Sequence, residues 1–144
     1  MSAYDDLRAL YEAYIAKAEQ LERDRKPGDG LFGFGKKTAD DPCHEQFAAD
    51  LEALLHAILA QAPSSDEVSR ILAYIYRAPS EHPEPKTVYW MLRAVHGLTV
   101  ELAGRLAPQD AKALRDTYAK EYPRRERFPA QKNVLAALDK ARKG

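Results

Sequence analysis

Lys86-Thr87-Val88-Tyr89-Trp90-Met91-Leu92-Arg93-Ala94-Val95-His96-Gly97-Leu98-Thr99-Val100-Glu101-Leu102-Ala103-Gly104-Arg105-Leu106 is the stretch from which the fold is read. At 100° per residue, Val88, Met91, Leu92, Val95, Leu98, Thr99, Leu102 and Leu106 fill one arc of a helix. Tyr89, His96 and Val100 widen that arc past half the circumference. A helix apolar over so much of its surface needs neighbours on several sides, so this segment is expected at the centre of the molecule.

The flanking sequence supplies those neighbours. Leu7, Tyr11, Tyr14, Ala18 and Leu21 recur at helical spacing, which predicts a first helix over about 3–25, opened by Ser2 with Asp5 in capping-box position. Pro42 suits a first helical position, where its missing N–H costs nothing, and Phe47, Leu51, Leu54, Leu55, Ile58 and Leu59 form the stripe that follows. Pro63 closes that helix, and Ser64 with Glu67 opens a short third one whose inner residues are Val68, Ile71, Leu72 and Ile75. The run Ala78-Pro79-Ser80-Glu81-His82-Pro83-Glu84-Pro85 reads as a connector, because its three prolines remove donors and restrict their predecessors. Pro108 opens a fifth helix ending near Tyr122, and Pro129 a sixth with Val134, Leu135 and Leu138 inward.

Composition agrees. Alanine and leucine number 40 against 13 for valine, isoleucine and threonine, a balance that favours helix over strand. The expected fold is a single all-α domain over 1–144, a bundle of five or six helices around the apolar helix at about 86–106; a superhelical stack of helix pairs is the alternative. A chain of 144 residues can bury a core of its own.

With 22 basic and 22 acidic residues the formal charge is zero, which argues against a polybasic nucleic-acid binder. The charges are segregated. Residues 1–72 carry 8 basic and 14 acidic side chains, and residues 73–144 carry 14 and 8. Mutual attraction of the two chain ends is the simplest reading, and a basic surface for an acidic partner or RNA the sharper one. Residues Met1 to Asp6 lack the apolar core of a signal peptide, no run of 18 apolar residues occurs, and there is one cysteine. A cytoplasmic setting is expected, and the 24 alanines suggest a bacterial source.

A long glycine-rich loop is expected at about 26–41. Gly28, Gly30 and Gly33 match G-x-G-x-x-G, and Gly30, Gly35 and Lys36 match most of a phosphate-binding loop. Both motifs require a buried strand before the loop and a helix directly after it. Glu19 to Arg25 is a charged helix end, the next helix starts near Asp41, and Lys37 stands where a magnesium-binding hydroxyl belongs. No nucleotide is therefore expected there. Leu31, Phe32 and Phe34 would pack on the bundle, or Phe32 and Phe34 would form a partner-binding tip.

Asp40, Asp41, Cys43, His44 and Glu45 gather at a helix start. His44-Glu45 begins H-E-x-x-H, but Ala48 stands where the second histidine must be, so no metal site is expected. Capping by Asp41 with the polar residues facing water accounts for the group. Tyr118, Tyr122, Arg124, Arg125, Arg127 and Phe128 interleave arginines with aromatics, which allows weak nucleic-acid binding but reads more simply as a salt-bridged turn.

The central segment carries the candidate site. Trp90, Gly97 and Gly104 recur every seven residues opposite the core arc, with Tyr89, Arg93 and His96 alongside. Tight helix packing would explain the glycines and a core position would explain His96. A recognition face would explain the aromatics and Arg93. The favoured function is a non-enzymatic module binding a protein partner or itself through Tyr89, Trp90, Arg93, His96, Phe32 and Phe34. The alternative is a small-molecule or enzymatic site near His96, Arg93 and Tyr89. No catalytic residue and no cofactor is assigned, and no membrane association is expected.

Overall fold

The structure, a computed structural model, describes residues 2–24 and 42–144. Among these residues the fold is all-α, with no strand. Helices α1 (Ala3–Asp24), α2 (Pro42–Ala60) and α3 (Ser65–Glu81) are followed by the central segment, which is split. It comprises α4 (Lys86–Ala94), a 3-10 turn (Val95–Thr99) and the short α5 (Val100–Ala103). After it come α6 (Pro108–Glu121), a second 3-10 turn (Arg124–Glu126) and α7 (Pro129–Arg142). Counted as one broken rod, α4 to α5 makes this a six-rod bundle. The glycine-rich loop, with Phe32 and Phe34, lies outside the described residues.

Local chemistry sets the helix starts. Ser2 Oγ accepts from the Asp5 amide at 3.2 Å while the Asp5 carboxylate accepts from the Ser2 amide. Ser64 and Glu67 make the same reciprocal pair at α3. Prolines open α2, α6 and α7. Helix α6 has Ala107 before it, which has no side-chain cap, and takes its support from α3: Ser65 Oγ accepts from the Ala107 amide at 2.8 Å and donates to Asp110 at 2.5 Å.

The central placement of the 86–106 segment holds. Its 3-10 turn touches α2, α3 and α7, while α6 packs along α7 and α1 along α2. Val88, Leu92, Val95, Thr99, Leu102 and Leu106 are buried, and Val68, Ile71, Leu72 and Ile75 of α3 pack into the same core. Leu21 departs from its stripe and stands 37% exposed.

Two expectations are corrected. Helix α3 does not end before the prolines but runs through Pro79 to Glu81. The glycines are not close-packing points: a Cβ on Gly97 would meet only the Ala130 Cβ at an ordinary 3.8 Å, and Gly104 belongs to a turn in which its Cβ would lie 3.2 Å from the Glu101 carbonyl. Among the described residues, no ion pair joins the oppositely charged chain halves. Every ion pair between described residues lies within one half, as in Arg8–Glu12 or Arg115–Asp139.

Candidate functional site

The site begins with Pro79. A proline inside a helix has no N–H for the carbonyl four residues back, so the Ile75 carbonyl loses its helical partner. His96 fills the gap, with Nε2 at 3.2 Å from that oxygen. A carbonyl only accepts, so Nε2 carries the proton, and Nδ1 accepts from the Tyr118 hydroxyl at 2.8 Å. One turn on, the Tyr122 hydroxyl donates to the Tyr76 carbonyl at 2.6 Å. The Tyr76 hydroxyl donates to Thr99 Oγ1 at 2.7 Å, and Thr99 in turn donates to the His96 carbonyl. The Ile75 carbonyl thus finds a donor on the 3-10 turn, and the neighbouring Tyr76 carbonyl accepts from a residue just beyond α6.

His96 is fully buried. Burial presses its pKa down to about 3, partly opposed by the bond to Ile75 and helped by the Arg93 charge. A neutral imidazole with both nitrogens occupied is a structural link, and it offers no surface to a substrate or partner. Tyr76, Tyr118 and Tyr122 have their hydroxyl pKa values raised by burial and remain neutral donors.

Arg93 is the second link and is 3% exposed. Its Nη2 donates to the Glu126 carbonyl and, at 3.2 Å, to Gln131 Oε1; its Nη1 donates to the Tyr89 hydroxyl at 3.2 Å. Gln131 answers by donating to the Arg93 carbonyl at 3.0 Å. No described carboxylate forms an ion pair with this guanidinium. Aromatic faces surround it instead, the Phe128 ring centre lying 4.4 Å away and those of Tyr122, Tyr89 and Trp90 at 5.2, 5.6 and 5.9 Å. Arg93 therefore ties α4 to the second 3-10 turn and to the start of α7.

Above Arg93 lies the exposed part. Trp90 is 47% and Phe128 43% exposed, their ring centres 5.3 Å apart, and the partly buried Tyr89 meets Trp90 edge-on at 5.2 Å. Trp90 and Tyr89 are thus on the surface, whereas Arg93 and His96 are buried. Arg93 holds the aromatic surface from below, and His96 lies against Tyr118 and Tyr122. Phe128, absent from the sequence-derived site, joins it because the turn before α7 folds back over Arg93. The only hint was its place between an arginine run and a helix-opening proline. That turn is not salt-bridged: Arg124 and Arg125 are exposed without ion pairs among described residues, and Arg127 donates to the Tyr122 carbonyl at 2.8 Å.

The Cys43–His44 group also differs from expectation. Both side chains are buried between α1 and α2, and Tyr14 Oη lies 2.6 Å from His44 Nδ1. The stripe of α1 brings Tyr14 to this point, so residues read as water-facing become core. Among the described residues no three His, Cys, Asp or Glu side chains converge on a metal-sized space, and no helix is long and apolar enough to cross a membrane. Three surface concavities of about 420, 550 and 160 Å³ lie at the α1–α3 groove, beside α5 and α7, and beside Tyr14 and Cys43; His96 lines none of them.

No family model matches this chain, and no curated protein or solved structure shows significant similarity to it.

Proposed function

We propose that the protein is a non-enzymatic interaction module whose Trp90–Phe128 surface docks a partner protein or a second copy of the chain. One observation carries the reading: two large, half-exposed aromatic rings rest on each other over a buried guanidinium that fixes them. Aromatic anchors dominate binding energy at interfaces, and rings already held in place lose little entropy on docking. Arg124 and Arg125, exposed on the neighbouring turn without an ion pair among the described residues, favour an acidic rim on the partner. The same reading places the protein in a bacterial cytoplasm, in keeping with its single cysteine and alanine-rich composition.

A photo-reactive amino acid at position 90, introduced in the cells that make the protein, tests this. A discrete protein adduct is expected from position 90, absent from the exposed α2 position Glu52 and lost with Phe128→Ala. The same adducts at both positions, no adduct at 90, or an adduct removed by ribonuclease would overturn it.

A further inference from the structure

The groove between α1 and α3 lies apart from the aromatic surface and has a chemistry of its own. Its walls carry Arg8, Arg70 and Arg77 with Tyr4, Tyr74 and Glu81; it encloses about 420 Å³. Arg70 and Arg77 are two turns apart on one helix, about 10 Å along the axis, so both line the same wall. Neither forms an ion pair with a described carboxylate. Among the described residues Arg8 pairs with the exposed Glu12 alone, at 3.6 Å.

Arg70 lies over the Tyr4 ring with its guanidinium carbon 4.5 Å from the ring centre, and the Arg8 carbon is 6.0 Å from that centre. Tyr4 is itself fixed edge-on against Tyr74 at 5.9 Å, and Tyr74 against the buried Tyr11 at 5.2 Å. That ring contact restrains the guanidinium, whose N–H groups make no hydrogen bond or ion pair to a described residue and so are left for a planar or tetrahedral anion. Tyr74 stays a neutral hydroxyl donor, since partial burial raises its pKa and the charges of Glu12 and Glu81 add to this against that of Arg8.

We propose that this groove binds the phosphate group of a small soluble phosphorylated molecule, with Arg70 and Arg77 as the principal contacts and Arg8 and Tyr74 in support. The concave shape favours a soluble ester over a flat membrane, and three guanidiniums against one lining carboxylate favour a multiply charged anion over a neutral ligand.

Titration of the whole protein with inorganic pyrophosphate, at ionic strength matched with sodium chloride, tests this by calorimetry and by amide NMR shifts. Saturable binding is expected, with shifts confined to residues 4–12 and 70–81. The double variant Arg70→Gln/Arg77→Gln is expected to weaken it by about tenfold or more while Trp90→Ala leaves it unchanged. Both arginines are exposed, and circular-dichroism melting confirms that the variant is folded. Absence of saturation at millimolar pyrophosphate, equal affinity in the double variant, or binding only to phosphatidic acid–phosphatidylcholine vesicles would overturn the proposal.

Discussion

His96 and Pro79 have to be understood as a pair. The proline takes a donor out of α3, and the histidine returns one from the 3-10 turn, in the one tautomer that suits both Ile75 and Tyr118. A group held neutral in this way links stability to pH. The unfolded chain binds a proton at the ordinary histidine pKa near 6.5, but the folded chain only near 3. Protons therefore favour unfolding across that window: the contribution is complete above about pH 6.5 and is lost as pH falls. The expected slope reaches about 1.4 kcal/mol per pH unit. Urea unfolding between about pH 6.5 and about pH 5.5, above the main carboxylate range, checks this. His96→Gln keeps a donor for Ile75 without the titration and is expected to flatten the slope. An equal slope in the variant would assign the pH dependence to other groups. At this scale the sequence shows that His96 falls within an apolar arc, but not which atom it serves, because Ile75 is 21 residues away.

Among the elements, the broken central rod is the least regular. A sequence of strong helical period tightens into a 3-10 turn at Val95–Thr99, the segment that touches α2, α3 and α7 together. The break also removes the reason for reading Trp90, Gly97 and Gly104 as one stripe, since the seven-residue spacing holds only along an unbroken α-helix. Gly97 has a right-handed backbone with room for a methyl group beside Ala130. Gly97→Ala is thus expected to stabilise the protein by about 0.4–1 kcal/mol, chiefly by restricting the unfolded chain. Thermal melting gives the sign, and a lower Tm would mean that the turn needs glycine for another reason. The extension of α3 through Pro79 follows the same logic. Local rules assign that proline to a connector, and the helix survives because donors from distant segments satisfy its open carbonyls.

Across the whole molecule, Arg93 and Trp90 separate structure from surface. Arg93→Ala removes bonds to the Glu126 carbonyl, Gln131 and Tyr89 and empties the space beneath four rings, and is expected to cost about 3 kcal/mol. Trp90→Ala acts on a half-exposed ring and is expected to cost about 1 kcal/mol or less. Denaturant titration of both variants checks the contrast; equal costs would place Trp90 in the core. The helix class, the proline-opened starts, the capping boxes and the apolar stripes were settled by the sequence itself, since each depends on residues within a few positions of one another. Tertiary structure alone decided that His96 and Arg93 turn inward, that Phe128 joins Trp90, and that three arginines share a groove. Those outcomes depend on hydrogen-bond partners and aromatic faces that meet only when segments far apart in the chain are packed together.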